Sequence, residues 1–246
     1  MSTEKLLEVI DLSVSYGPIQ ALDKVSLSVS KGEIVALLGA NGAGKTTLLQ
    51  TISGLLKPIG GKVMYQGTDI TGMEAEKVVG KHLVHVPEHR QVFSTMTVLD
   101  NLYLGAYHHR KQSKMKKIEE DIEKVFDLFP ILKDRKDQLG GTMSGGQQQM
   151  LAIARGVMAE PELLLLDEPT LGLAPIIAKD VLELVRDLRE EFGTTVLLIE
   201  QNVTASLKIA DRGYVISHGE IVKSGKSSEL LHDPEVKEAY LGHTVN

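Results

Sequence analysis

Apolar and polar positions alternate over the first thirty residues, then give way to short unbroken apolar runs separated by segments of helical period. Leu6 to Tyr16 and Val25 to Val29 read as two half-buried strands, with turns at Gly17-Pro18 and Lys31-Gly32. Glu33 to Leu38 is an apolar run of the kind a fully buried strand shows, and Thr46 to Ile52 reads as a helix. Ser53-Gly54 and Pro58 mark a loop, 61–67 a strand ending in a turn, 74–81 a short helix, and His82 to Val86 a strand stopped by Pro87. From about 97 to 158 the period is helical, and Met115, Ile118, Ile122, Val125, Phe126 and Phe129 form one apolar stripe. The other face of that stripe is rich in Lys and Glu and reads as solvated.

The second half resumes strand and helix in alternation. Leu163 to Leu166 is a buried strand, Pro175 to Phe192 a helix with proline at its start, Thr194 to Ile199 a strand and Val203 to Ala210 a helix. Tyr214 to Ser217 and Ile221 to Lys223 form a hairpin across His218-Gly219-Glu220. Ser227 to Leu241 reads as two short helices broken at Asp233-Pro234. Such alternation predicts an α/β protein with a mostly parallel sheet covered on both faces.

Composition narrows the class. The 246 residues suffice for one large domain or two small ones, and 42% hydrophobic with 24% charged residues describe an ordinary globular chain. A net charge of −6 argues against a surface built to hold nucleic acid. No apolar run approaches the roughly 18 residues of a membrane span, and Ser2-Thr3-Glu4-Lys5 is not a signal-peptide core, so a cytoplasmic location is expected. With no cysteine, thiolate and disulfide chemistry drop out. His82, His85 and His89 invite a metal reading, but 82 and 85 on one strand face opposite sides and no carboxylate cluster completes a site. His108-His109-Arg110-Lys111 reads as loop surface, with contact to acidic headgroups as the weaker alternative.

Three segments carry chemistry. Gly39-Ala40-Asn41-Gly42-Ala43-Gly44-Lys45-Thr46, followed by Thr47, fits G-x-x-x-x-G-K-[ST] between a strand and a helix. Glycines let several backbone N–H groups converge on one anion, and the helix N-terminus adds positive dipole character. Lys45 then reaches the β- and γ-phosphates, and the Thr46 hydroxyl sits on Mg2+. Asp167-Glu168 closes the leucine strand at the end where ligands collect in open α/β sheets, which predicts Asp167 as a ligand for Mg2+, directly or through water, and Glu168 as a base for water. Ser144-Gly145-Gly146-Gln147 opens a helix running to about Met158, a second anion site or simply a serine N-cap. Tyr16, at a strand end ahead of the phosphate loop, is a packing residue or a ring for stacking on adenine.

Met143-Ser144-Gly145-Gly146-Gln147 resembles the signature of the ATP-binding-cassette family, usually Leu-Ser-Gly-Gly-Gln. The order of Tyr16, phosphate loop, signature, Asp167-Glu168 and a polar residue after the 194–199 strand resembles that family along essentially the whole chain. The resemblance implies a RecA-like P-loop NTPase core with a small antiparallel β subdomain (1–89 and 156–225), an inserted α-helical subdomain at about 90–155, and C-terminal helices at 226–246. It implies ATP and Mg2+ as cofactors, with Lys45, Glu168 and Gln201 catalytic and Thr46, Asp167 and Glu88 at the metal. It implies head-to-tail pairing with a second ATP-binding subunit, so that Ser144, Gly145, Gly146 and Gln147 serve the partner's nucleotide. Two integral membrane permease subunits would dock near Glu88 and the helical subdomain, holding the chain at the inner face of the membrane. An extracytoplasmic binding protein would be an indirect partner.

Three positions depart from the family's common pattern. Glu88 stands where glutamine is usual, Glu200-Gln201-Asn202 where a histidine usually follows the strand, and Leu171-Gly172-Leu173-Ala174 lacks the usual aspartate. Glu88 still ligates a cation but adds charge; Gln201 hydrogen-bonds a phosphate but cannot become cationic. Val86-Pro87-Glu88, Leu171 to Pro175, Glu200-Gln201-Asn202 and Leu128 to Lys133 are together similar to the LivF-type ATP-binding subunits of high-affinity branched-chain amino acid importers, which pair with a LivG-type sister. A urea or short-chain amide importer subunit is the near rival. A soluble cassette ATPase acting on nucleic acid or ribosomes, and a regulatory nucleotide-binding module of low turnover, are the alternatives from other classes.

Overall fold

The computed structural model describes residues 4–108 and 115–236. In chain order the strands are β1 (Lys5–Tyr16), β2 (Ile19–Ser30), β3 (Ile34–Leu38), β4 (Gly60–Tyr65), β5 (Thr68–Asp69), β6 (Leu83–Val86), β7 (Leu163–Asp167), β8 (Thr195–Glu200), β9 (Arg212–Ser217) and β10 (Glu220–Lys226). The α-helices are α1 (Lys45–Ile52), α2 (Ala75–Val79), α3 (Val98–Gly105), α4 (Met115–Leu128), α5 (Pro130–Lys133), α6 (Gly145–Val157), α7 (Pro175–Phe192), α8 (Val203–Ile209), α9 (Ser227–Leu230) and α10 (Pro234–Val236).

Two sheets result. One is antiparallel, in the order β2-β1-β4-β5; the other runs β10-β9-β3-β8-β7-β6 and is parallel except for its edge strand β10. The central strands read as continuous apolar runs because both of their faces are covered. Leu163 and Leu165 of β7 enter a core shared with β1, β2, β4 and α1, whereas Leu164 and Leu166 enter the core under α3 to α7. Ala36 and Leu38 of β3 instead pack against α8, α9 and α10.

The helical segment has no core of its own. Ile118, Ile122, Val125 and Phe126 of α4 and Leu151 to Ala154 of α6 share one continuous core with Val84, Val86, Leu164 and Leu166 of the sheet. At the seam, a Cβ on Gly156 would lie 2.8 Å from Val86 Cγ2, so α6 sits directly on β6. Met115 departs from the expected stripe: it is 47% exposed, whereas Ile118 in the same turn of α4 is buried. Phe129 is buried but caps α5 instead of ending α4.

Other expectations shift at their edges. β2 begins at Ile19 rather than Val25, with an irregular register at Lys24, whose φ is 45°. His82 precedes β6 with φ 62° and its Nδ1 lies 2.9 Å from Glu160 O, so the opposite-faces rule does not apply to it. His109 to Lys111 and the tail beyond Val236 lie outside the described residues.

Candidate active site

The phosphate loop joins β3 to α1 and is tightened by its glycines. A Cβ on Gly39 would sit 2.6 Å from Ile216 O, so only glycine lets β9 pass. Gly44 has φ 106°, and a Cβ there would meet Ala21 O at 2.9 Å. Lys45 is buried, and its Nζ donates to Gly39 O (2.8 Å) and Ala40 O (3.0 Å) while lying 3.3 Å from Glu168 Oε1. The ammonium is thus folded over its own loop, aimed at the space the backbone amides enclose.

Tyr16, Asn41, Gly42, Gly44, Lys45, Thr46, Thr47, Glu88, Glu168 and Gln201 line one open cavity of about 520 Å3, together with Ala21 and Leu171. Gly39 and Ala43 lie beneath the loop as buried backbone, and Ala40 is on its outer side. Tyr16, 46% exposed at the end of β1, brings its hydroxyl 3.5 Å from Thr47 Oγ1. Its ring is an exposed wall of the cavity rather than a packing residue. Ala21 and Leu171 carried no chemical signal in the sequence; they reach the cavity through the β2 pairing and the turn after Glu168.

β7 delivers Asp167 and Glu168 to the same place. Thr46 Oγ1 donates to Asp167 Oδ1 (3.3 Å), and Gln201 Nε2 donates to Glu168 Oε2 (2.5 Å). Gln201 therefore touches the carboxylate expected to act as base. Glu168 has φ 47°, a left-handed conformation that costs a non-glycine residue about 1–3 kcal/mol and is held by these neighbours. Burial pushes the Asp167 carboxyl up to about 6, against the Thr46 hydrogen bond, and the charges of Glu168 and Glu88 push the same way as burial. Asp167 Oδ2 is buried with no hydrogen-bond partner among the described residues. An all-oxygen set of the Thr46 hydroxyl and the Asp167 and Glu88 carboxylates, with one buried oxygen unsatisfied and negative charge in excess, fits a hard divalent cation such as Mg2+. Glu200, at the end of β8, is also buried; burial holds its carboxyl above the usual range, opposed by the two hydrogen bonds from Thr170.

The signature segment stands apart from this cavity. Ser144 caps α6: its Oγ accepts from Gln147 N (3.4 Å) while Gln147 Oε1 accepts from Ser144 N (3.0 Å), a reciprocal capping box. A Cβ on Gly145 would lie 3.0 Å from the Arg90 guanidinium, and one on Gly146 2.5 Å from Ile177 Cγ2. One chain thus brings together the phosphate loop, Asp167, Glu168, Glu88, Gln201 and Tyr16, but not Ser144 to Gln147. As for the histidines, His85 Nδ1 lies 3.1 Å from Ser53 Oγ and His89 Nε2 3.4 Å from Glu88 Oε1. Among the described residues no three His, Cys, Asp or Glu side chains gather in a way that would hold a metal.

Known proteins resemble this chain in sequence and fold. The family model described as ABC transporter matches residues 22–171. The chain is 48% identical over 237 residues to the high-affinity branched-chain amino acid transport ATP-binding protein BraG of Pseudomonas aeruginosa, covering 96% of this chain and 100% of that one. It is 34% identical to the lipopolysaccharide export system ATP-binding protein LptB of Haemophilus influenzae, covering 96% and 97% of the two chains. The crystal structure of the ADP conformation of MJ1267, an ATP-binding cassette of an ABC transporter, superposes with a TM-score of 0.83 at 33% identity, covering 98% and 100%. With the phosphate loop and Glu168 meeting in one cavity, Asp167 bonded to Thr46 beside it, and relatives matched end to end, this chain belongs to the ABC transporter family as one of its ATP-binding subunits.

Proposed function

We propose that this ATPase drives high-affinity import of branched-chain amino acids through partner membrane permeases. The observation that carries the ATPase reading is the meeting of Lys45, Thr46, Glu168 and Gln201 around one cavity, with Asp167 bonded to Thr46 beside it. The substrate class and direction are supported by the 48% identity to a branched-chain amino acid transport subunit, against 34% to the export subunit.

In this reading the Lys45 ammonium leaves the Gly39 and Ala40 carbonyls for the β- and γ-phosphates, and the loop amides from Asn41 to Thr47 hold the remaining oxygens. Thr46, Asp167 and Glu88 would hold Mg2+, which would supply positive charge to neutralise the phosphates. Glu168, oriented by Gln201, takes a proton from the attacking water. Tyr16 offers its ring to the adenine. Ser144, Gly145, Gly146 and Gln147 serve the nucleotide of a second ATP-binding subunit, a copy of this chain or a sister. The helical subdomain at about 90–155 then moves against the core at 1–89 and 156–225, with 226–246 as a C-terminal extension, and hands that motion to two permeases fed by an extracytoplasmic binding protein. Among the described residues no helix is long and apolar enough to cross a membrane, so attachment to the inner face of the membrane would run through the permeases.

The test is recovery of partners. A tagged Glu168→Gln chain is captured with ATP and Mg2+ from gently solubilised native membranes, and the co-purifying proteins are identified by mass spectrometry. Two polytopic membrane proteins and a second cassette subunit are expected, with the cognate binding protein taking leucine, isoleucine or valine. A binding protein selective for urea moves the chain to the amide importers; ribosomal or DNA-bound partners alone overturn the transport reading.

A further inference from the structure

Glu200 closes β8, is 2% exposed, and has no assigned part in the chemistry above. Both of its oxygens accept from Thr170, with the Gln201 backbone N–H as a further donor to the carboxylate. Oε1 accepts the Thr170 N–H (2.8 Å) and Oε2 accepts the Thr170 hydroxyl (2.7 Å). Thr170 lies two residues beyond Glu168. The two neighbours of Glu200 grip the other end of the same turn: Ile199 O accepts from Glu168 N (3.0 Å), and Gln201 Nε2 reaches the Glu168 carboxylate (2.5 Å). Three consecutive residues at the end of β8 therefore hold residues 168 and 170, with Glu168 in a left-handed conformation between them. The turn carries itself onward by Leu171 N to Glu168 O (3.1 Å) and Leu173 N to Thr170 O (3.2 Å).

We infer that Glu200 is a positioning residue for hydrolysis: its two-oxygen grip on Thr170 fixes the 168–170 turn and thereby the direction of the Glu168 carboxylate. A carboxylate suits the task because two donors from one residue converge on it. A glutamine offers one acceptor oxygen, and its amide group would face a donor or the hydroxyl. A leucine accepts from neither Thr170 donor, so the turn loses both of these anchors to β8, relaxes, and the base swings off line. Nucleotide binding is set on the other side of the cavity, by the loop before α1, and is untouched.

The inference rests on Glu168 being the catalytic carboxylate, and the experiment keeps the two apart. ATP turnover is measured in the assembled transporter, and ADP affinity and Tm on the purified chain, for Glu200→Leu, Glu200→Gln and Thr170→Val. Misplacing a catalytic group by about 1 Å costs on the order of 100-fold, so Glu200→Leu should lower kcat about 10–100-fold with KM and ADP affinity unchanged. Glu200→Gln should recover part of the loss, and Thr170→Val, which removes one of the two hydrogen bonds, should lose less than Glu200→Leu. In a Glu168→Gln background Glu200→Leu should cost nothing further, because groups acting as a unit are not additive. Wild-type kcat in Glu200→Leu, parallel loss of ADP affinity, or a further loss in the Glu168→Gln background overturns the proposal. Should Glu200→Leu fail to fold, wild-type kcat in Thr170→Val overturns it alone. Wild-type turnover of Glu168→Gln by itself would instead overturn the reading of Glu168.

Discussion

His85 sits on β6 with Nδ1 3.1 Å from Ser53 Oγ and Nε2 covered and without a partner among the described residues. Burial lowers its pKa from 6.5 to about 4. The unfolded chain therefore binds the His85 proton more readily than the native protein. This contribution to stability is complete above pH 6.5 and is lost as pH falls toward 4, about 3 kcal/mol in all. Asp167 works against it in the same window: its carboxyl is raised to about 6, so the native protein gains there as pH falls. The wild-type protein should accordingly show a shallow pH dependence that hides two opposed terms. His85→Gln keeps a partner for Ser53 and cannot be protonated, so it exposes the Asp167 term. Urea unfolding of both proteins at about pH 7.5 and about pH 4.5 gives two stability differences. The variant should improve relative to wild type by about 2.5 kcal/mol between them. An equal difference at both pH values, or a His85 ring that titrates near 6.5 by NMR, would refute the reasoning.

Lys45→Ala removes charge-assisted hydrogen bonds to phosphate worth about 1.5–3 kcal/mol each, so ATP Kd measured by calorimetry should rise at least about 100-fold; an unchanged Kd removes Lys45 from the site. Glu168→Gln should bind ATP normally and hydrolyse it about 10²–10⁴-fold more slowly, accumulating an ATP-bound pair visible by size-exclusion chromatography; turnover at the wild-type rate would mean another base. Gly105→Ala places a Cβ 2.2 Å from Arg155 O and 2.8 Å from Met158 Cβ where α3 meets α6. It should destabilise the protein by about 1–3 kcal/mol, read as a lowered Tm, and an unchanged Tm would mean that α3 shifts freely on α6.

Much of this was legible in the sequence because local rules and tertiary fate agree there. Pro175 starts α7 and Phe192 ends it as the pattern predicts, since a proline at the first turn and Gly193 in a left-handed C-cap mark both ends. The leucine quartet of β7 is a strand because both of its faces are covered, and Asp167 is the first residue at which polarity returns. What was not legible is what depends on pairing. β2 extends back to Ile19 through the polar Asp23 and Lys24, because β1 offers a partner across the irregular register there. Met115 has helical spacing, yet among the described residues it stays half exposed beside Tyr107 and Ile118, at the rim of an open cavity. Glu200 looked like a flank to Gln201; only the adjacency of β7 and β8 brings it to Thr170. Gln201 carried the right polarity, yet its contact with Glu168 follows from the same adjacency.

The strand order has a consequence for synthesis. β3, which leads into the phosphate loop, pairs with β8 through Ile34↔Val196 and with β9 through Val35↔Arg212. Both of its neighbours come from the last third of the chain. A ribosome releases the N-terminus first, at about 5–20 residues per second, so the four strands of the antiparallel sheet, all within residues 5–69, can pair early. The strand that carries the nucleotide loop must meanwhile wait, its edges open, until nearly the whole polypeptide has emerged. Nascent chains that stall before β8 should therefore be held by chaperones and bind no nucleotide, and competence for ATP arrives as one of the last events of folding.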